Sequence, residues 1–332
     1  MRALDYLRPE SPAAAVAALV SNPNAKYLGG GTNLVDHLKL GIVSPDELVD
    51  ISRLPLDDIQ EYDDGGGPGL RVGANVRNSD LAAHPVVRSS FPLVARALLS
   101  GASGQIRNQA TTAGNLLQRT RCVYFQDATT PCNKRVPGSG CSAREGYGRY
   151  NAILGASDAC VATHPSDLAV ALAALDATVV LLGPDGERRL PLAELHRLPG
   201  DLPNLDTTLG RSELITGIEI PFSPVAALST YRKVRDRASY AFALVSVAAA
   251  VHLEHGAVRD VRIAWGGVAH KPWRAERAER ALVGQQLEPD VIGAAVEEEL
   301  ENAASGDENA YKVTLVRNTT VHTLLQLAEG HR

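Results

Sequence analysis

The chain has 332 residues, 45% of them hydrophobic and 21% charged, so it can bury a large core and is long enough for two or three domains. A formal net charge of -5 and an isoelectric point of about 6.0 argue against a broad nucleic-acid footprint, but leave room for a small anionic ligand. No apolar run of about 18 residues occurs, and MRALDYLRPESP lacks a charged region followed by a hydrophobic stretch, so neither membrane insertion nor self-export is expected.

Residues 1 to 55 read as a small α/β unit, with AAAVAALV as a helix, KYLGGGTN as a strand entering a glycine-rich turn, and DELVDIS as a strand. After the turn DDGGGPG, a second unit spans 56 to 222. In it LRVGANV is strand-like, RNSDLAAH is helical, and PLVARALLSGA carries an apolar helical face. Periodicity vanishes between Leu117 and Gly148, and long irregular loops of this kind are usually functional. Order returns with NAILGASDACVA as an expected strand, HPSDLAVALAALDA as a helix opened by a Ser/Asp cap, and TVVLLG and ELITGIEIP as strands. PFSPVAALS, residues 221 to 229, reads as a linker into a third unit over 223 to 332. There TYRKVRDRASYAFALVSVAAAVHLE and VRDVRIAWGGVA predict a sheet with a hairpin turn at HGAV, and a helical tail follows from Trp273.

The sharpest local motif is Gly29, Gly30 and Gly31 with Thr32 and Asn33, directly after a strand. Glycines permit positive φ and close backbone approach, and successive N–H groups can form an anion-binding concavity without a lysine. The pattern is neither a P-loop nor GxGxxG, so a nicotinamide Rossmann site is not supported; a plain tight turn is the competing reading. A second candidate is Thr111-Thr112-Ala113-Gly114-Asn115, which offers two hydroxyls, a glycine and an amide. Two such loops could grip both phosphates of a dinucleotide, or the threonines could simply cap a helix.

All four cysteines, Cys122, Cys132, Cys141 and Cys160, lie within 39 residues. Disulfides suit a small exported domain better than a chain of this size, so metal ligation is the first expectation. Paired zinc knuckles keep two to four residues between cysteines, and the spacing C-x9-C-x8-C-x18-C has no such pair. Four thiolates held by Gly/Pro turns suit an iron-sulfur cubane. Iron-sulfur, structural zinc and disulfides all remain open, in that order.

LGGGTNL at 28 to 34, RNQATTAGNLLQ at 107 to 118, HPSDLAVAL at 164 to 172, ELITGIEIP at 213 to 221 and YRKVRDRASYA at 231 to 241 occur in the order seen in FAD subunits of xanthine dehydrogenase-type enzymes, the molybdenum hydroxylases. The resemblance covers nearly the whole chain. It implies an α+β fold: a vanillyl-alcohol-oxidase-like (PCMH-type) FAD-binding domain of two α/β subdomains, then a C-terminal α+β domain of the carbon monoxide dehydrogenase flavoprotein type.

Carried over by residue, the resemblance places the FAD pyrophosphate against Gly29 to Leu34 and Thr111, Thr112, Gly114 and Asn115, with Asn108 and Gln118 nearby. It extends the cofactor contacts to Lys26, Tyr27, Leu28 and Val161. Asp167 would hold the ribityl chain or the polar edge of the flavin, Leu214 would pack on the cofactor, and Lys233 would lie by the isoalloxazine. Many relatives have two glycines where this chain has Ala113-Gly114, which puts close approach at Ala113 in doubt.

The cysteine pattern, with CNKRVPGSGC in its middle, looks like that of the periplasmic aldehyde oxidoreductase subunits that carry an extra [4Fe-4S] cluster. Cys122 stands four residues after Gln118 and Cys160 seven before Asp167, so the cluster is expected beside the FAD. Arg119, Arg121, Lys134 and Arg135 could offset its charge or be solvated, and His164 reads as a capping or packing residue. The resemblance implies partners: a large subunit with the molybdenum cofactor and a small one with [2Fe-2S] clusters, in a heterotrimer or its multiple, passing electrons through FAD to an external acceptor. It also implies a periplasmic location by co-export with a twin-arginine partner. Rival readings are a self-sufficient flavin oxidase or reductase of the same fold and a zinc-stapled scaffold without flavin.

Overall fold

The computed structural model describes residues 3–63 and 67–330, so residues 64–66 of the DDGGGPG turn lie outside the described residues. Strands β1 (Asp5–Leu7), β2 (Lys26–Leu28) and β3 (Glu47–Asp50) form a parallel sheet in the order β1-β3-β2. The helix Pro12–Ser21 connects the first two. Ser11 caps it by accepting from Ala14 N at 3.1 Å, and Pro12 occupies the first turn, where its missing N–H costs nothing. Its buried Ala15, Val16 and Leu19 pack with Val49, Ile51 and Leu214.

The second sheet is antiparallel, in the order β4-β5-β8-β6-β7, built from β4 (Ile59–Asp63), β5 (Pro68–Gly73), β6 (Thr178–Gly183), β7 (Gly186–Pro191) and β8 (Leu214–Pro221). One core joins it to the helices Asn78–Ala83, Pro92–Ser100 and Asp167–Ala174.

The third sheet, β12-β11-β10-β9, is also antiparallel: β9 (Ser229–Val234), β10 (Val245–Glu254), β11 (Ala257–Gly266) and β12 (Trp273–Arg274). Alternation along β10 buries both faces. Val245, Val247, Ala249 and Val251 meet the helices Glu276–Leu282, Pro289–Glu299 and Tyr311–Gly330, whereas Ala248 and Ala250 join the core of the second sheet. The hairpin expected at HGAV turns on His255 and Gly256, with φ of 52° and 82°, as a two-residue type I′ turn requires.

Three expectations need correction. NAILGASDACVA forms no strand. Ile153 and Leu154 instead bury their side chains in the C-terminal core while both their N–H groups donate to Val268 O, and Gly155 turns the chain at φ 60°. PFSPVAALS is not an open linker, because Pro224–Ala227 is a short helix with Val225 and Ala226 buried. The tail from Trp273 begins as β12, and helix starts only at Glu276.

Candidate functional site

Two loops from different elements lie against each other. The first leaves β2 through Gly29 to Gly31, with Gly31 at φ 75°, and enters the helix Leu34–Lys39. The second joins the helix Gly104–Gln109 to the helix Thr112–Leu116. Their approach is close enough to exclude a side chain. A Cβ on Gly30 would collide with Gln109 O and stand 3.1 Å from Ala110 Cα, and one on Gly29 would stand 3.2 Å from Thr111 Oγ1. Gln109 Nε2 donates to Gly30 O at 3.2 Å, and Arg119 N donates to Asn33 Oδ1 at 3.0 Å. Thr112 donates its hydroxyl to Val76 O at 2.9 Å, and Thr111 Oγ1 caps its helix by accepting from Gly114 N at 3.2 Å. Helix capping thus holds for Thr111, and because the N–H groups of Thr112 to Asn115 are bonded within the protein, what this segment turns toward a ligand is the side chains of Asn115 and Gln118.

A cavity of about 350 Å³ opens beside these loops, lined by Thr32, Asn33, Gly114, Asn115, Gln118, Asp167 and Lys233 among the expected residues. Asn115 Oδ1 accepts from Ser166 at 2.7 Å and from Gln118 Nε2 at 2.8 Å, which fixes its amide orientation. Asp167 stands at the start of its helix, after the Ser166 cap. One of its oxygens accepts from Lys233 Nζ at 2.7 Å and the other from Tyr231 OH at 2.6 Å. The lysine is therefore a paired, nearly buried charge with side-chain exposure of 3%. Burial, then the Asp167 charge, pushes the Tyr231 phenol well above its usual range, so it stays a donor.

The remaining expected residues lie elsewhere. Leu214 is buried in the core of the first sheet, and Asn108 lines a different cavity with Arg88 and Arg96. Tyr27 donates to Ser212 O at 2.8 Å, Lys26 is exposed, Leu28 O accepts from Ile51 N at 3.0 Å, and Val161 O accepts from Ala152 N at 2.8 Å. Conversely, Arg121, Arg237, Tyr240 and Phe242 wall the cavity. The Arg121 guanidinium lies 4.9 Å over the Phe242 ring. Arg237, Tyr240 and Phe242 come from the one stretch RDRASYAF, and the sequence suggested Arg121 only as a counter-charge to the cysteines.

In the irregular segment all four cysteines are free and line one small cavity. Cys132 and Cys141 face each other in an antiparallel bridge. Asn133 closes that turn: its N–H donates to Gly140 O at 2.7 Å, its Oδ1 accepts from Gly140 N at 2.8 Å, and its Nδ2 donates to Ala159 O at 3.0 Å. Gly138 and Gly140 adopt φ of 83° and 100°, open to glycine but strained for other residues. Burial pushes the Cys160 thiol up to about 11 and raises Cys122, while the Ala162 amide and Lys134 favour the thiolate of Cys160 and the Phe125 and Tyr124 amides that of Cys122. Lys134 borders the cavity fully buried, donating to Pro203 O at 2.8 Å and pairing with Asp206, which also holds Arg119 at 2.6 Å. Arg135 is taken by backbone carbonyls, including Phe125 O at 2.8 Å. Of the four basic residues noted in the sequence, Lys134 alone lines this cavity. Among the described residues, no set of three or more His, Cys, Asp or Glu groups converges as for a single metal ion.

Comparison with known proteins decides the family. The FAD binding domain in molybdopterin dehydrogenase matches residues 2–223, and the CO dehydrogenase flavoprotein C-terminal domain matches residues 229–327. The chain belongs to the FAD-binding subunits of the molybdenum hydroxylases. It is 49% identical to the aldehyde oxidoreductase FAD-binding subunit PaoB of Escherichia coli strain K12, across 98% of each chain. It is 30% identical to the glyceraldehyde dehydrogenase medium chain of Sulfolobus acidocaldarius, across 86% of this chain and 83% of the other. Among solved structures, carbon monoxide dehydrogenase from Hydrogenophaga pseudoflava superposes with a TM-score of 0.75 at 25% identity, covering 98% of this chain and 96% of that one.

As a molybdenum hydroxylase FAD subunit, the protein has FAD as its cofactor and works within a multi-subunit oxidoreductase whose substrate is oxidised on a partner. The fold class implied by the resemblance holds. The cavity suits FAD on its own chemistry: two glycine-lined backbone segments in contact, a fixed amide at Asn115, and a charge pair at Asp167 and Lys233 on one wall.

Proposed function

We propose that this protein is the electron-transfer subunit of a molybdenum-dependent aldehyde oxidoreductase, and that it carries a [4Fe-4S] cluster as well as FAD. The observation that carries the substrate class is the 49% identity, over nearly the full length of both chains, to a protein named as an aldehyde oxidoreductase FAD-binding subunit. The subunit would receive electrons from [2Fe-2S] clusters of a small partner and pass them to an external acceptor, while the aldehyde is oxidised at the molybdenum cofactor of a large one. When bound, FAD would supply a carrier that takes up electrons one at a time from one-electron clusters and releases them singly or as a pair.

The chain's own residues prepare the flavin site. Gly29 to Asn33, backed by the segment Thr111 to Asn115, would hold the pyrophosphate, Asn115 and Gln118 would present fixed amide groups, and Asp167 and Lys233 would set the polarity of the site. The cysteine loop would hold its cluster on Cys122, Cys132, Cys141 and Cys160. Support comes from the donor set: four thiols around one cavity, N–H groups aimed at two of them, and a buried cation at the wall. A periplasmic location by co-export with a twin-arginine partner belongs to the same proposal and is tested by fractionation.

The deciding measurement is cofactor content of the assembled complex purified without added metal. The proposal expects one FAD, and four iron with four labile sulfides, for each copy of this chain. Zinc in place of iron would remove the cluster from the reading and leave the flavin. Aldehyde oxidation by this chain without partners would overturn the division of labour. If the cluster lies on the electron path, Cys132→Ala must slow flavin reduction by aldehyde or reoxidation by acceptor. Unchanged rates would assign the loop a structural role.

A further inference from the structure

Asn33 stands where a helix cap belongs and does not cap. It directly precedes the helix Leu34–Lys39, and asparagine is among the residues that best satisfy the free N–H groups of a first turn. Yet its side chain makes no bond to that turn, and its backbone, at φ -124° and ψ -46°, lies outside the extended region that capping uses. The side chain is held sideways instead. Its Oδ1 accepts from Arg119 N at 3.0 Å, and its Nδ2 lies 3.3 Å from Nε2 of His37, one helical turn on.

These two contacts fix the protons. A backbone N–H can only donate, so Oδ1 faces Arg119 and Nδ2 faces the histidine. Nδ2 is itself a donor, so His37 Nε2 is the bare, accepting nitrogen and the ring proton sits on Nδ1. The surroundings keep the ring in that state. His37 is 2% exposed, and burial, then the charges of Arg119 and Arg121, lower it to about 4 from 6.5, against the smaller opposite pull of Asp36 and Asp206. A protonated ring would turn a second donor on the amide. The ring is braced as well: it meets the fully buried Phe125 at 80°, with centroids 5.6 Å apart, and the Arg119 guanidinium lies 4.6 Å over the same phenyl. Both partners of Asn33 therefore rest on one buried side chain.

We propose that His37 is a positioning residue for the cofactor: by accepting from Asn33 Nδ2 it fixes the amide on the wall of the flavin cavity, with one N–H left to offer a cofactor oxygen. Asn33 lines that cavity and His37 does not, so the histidine acts through the asparagine. The arrangement also explains the missing cap, because an amide turned onto its own helix could not be held by Arg119 and His37. The inference rests on the flavin occupying this cavity.

The test is a double-mutant cycle on the assembled complex, stripped of FAD and titrated with FAD by flavin fluorescence. His37→Leu removes the acceptor at similar volume, whereas His37→Gln keeps an accepting oxygen. The expected results are about five- to tenfold weaker binding in His37→Leu and binding within about twofold of the natural complex in His37→Gln. Asn33→Ala should weaken binding by itself, and adding His37→Leu to it should cost no further affinity. Natural affinity in His37→Leu overturns the proposal. So does an equal loss in the Leu and Gln variants, which would make the ring a packing residue, or a His37→Leu loss that persists in full without Asn33. Should His37→Leu fail to assemble, His37→Gln decides: retained affinity supports the accepting role, and a tenfold loss refutes it. If Asn33→Ala binds FAD as the natural complex does, the placement of the flavin is itself wrong and the inference falls with it.

Discussion

Replacing Gly30 by alanine tests whether the contact between the two loops is what holds the flavin. The added Cβ would collide with Gln109 O and lie 3.0 Å from Gln109 C and 3.1 Å from Ala110 Cα, all backbone atoms that cannot swing aside. Restoring ordinary contact requires the loops to part by about 1 Å. Forcing a methyl into a packed position costs about 1–3 kcal/mol. A cofactor gripped between both loops needs them at their native separation, so the bound state bears that strain. At 1.4 kcal/mol per factor of ten, FAD affinity should fall about 5- to 150-fold. The assay is the dissociation constant of FAD, by flavin fluorescence after removal of the cofactor, beside a thermal unfolding curve without FAD. Gly104→Ala is the control, because nothing lies within 4 Å of its added Cβ and it stands in a helix, where alanine is preferred. Native FAD affinity in Gly30→Ala, with unfolding also unchanged, would refute the argument that close backbone approach is the reason for glycine here.

Asp167→Asn leaves the nearly buried Lys233 without its counter-ion and should cost about 3 kcal/mol or more, seen as a lower denaturant midpoint; a loss under about 1 kcal/mol would mean that the pair is effectively solvated. Lys134→Met keeps the length of the side chain and removes the cation at the cysteine cavity, so iron content should drop while FAD content holds, and an unchanged iron-to-FAD ratio would deny Lys134 that role. Burial lowers His196 and His270 to about 4 from 6.5. With the folded value depressed, the unfolded chain takes protons first, so this stability is complete above pH 6.5 and is lost toward pH 4, at up to about 1.4 kcal/mol per pH unit for each histidine. Urea midpoints that stay flat from about pH 7 to about pH 5, or a His270→Phe variant with an unaltered slope, would contradict it.

What could be read from the sequence was whatever local chemistry dictates. Ser166 before an apolar helical stretch marks a capped helix in any context, and His255-Gly256 between two apolar runs marks a hairpin, because few residues accept positive φ. A short apolar run is different. Ile153 and Leu154 could have been strand or loop, since burial satisfies their side chains either way, and here the carbonyl of Val268 replaces a ladder. The glycine triplet announced a tight backbone, but not what it is tight against; Gln109 lies 79 positions from Gly30 and only the fold joins them. The same holds for Asp167, Tyr231 and Lys233, whose pairing depends on a helix of the second unit meeting β9 of the third. Arg121 was visible as a basic residue beside a cysteine, yet its position depends on Phe242, which the sequence places far away.

The cysteine segment gains meaning from where its ends are fastened. It leaves the helix Thr112–Leu116, whose cap closes one grip on the flavin cavity, and returns into the helix Asp167–Ala174, whose first residue holds Lys233 on the cavity wall. A loop of this length is entropically tolerable because loop-closure cost rises only slowly with length. Tolerance does not explain the order inside it. Asn133 spans the turn between two of the cysteines, Arg135 gathers carbonyls from the other side, and Lys134 pins the loop to Pro203 and Asp206 across the chain. Asp206 in turn holds Arg119, whose N–H is bonded to Asn33 of the first glycine loop. A continuous set of charge pairs and hydrogen bonds therefore runs from the cysteine cavity to the loop proposed to grip the pyrophosphate. A change of charge at the cysteines acts first on Lys134, which is buried and weakly screened, whereas Asp206 and Arg119 are partly exposed. On this basis removal of Lys134 should disturb the cysteines first and Asn33 only through Arg119.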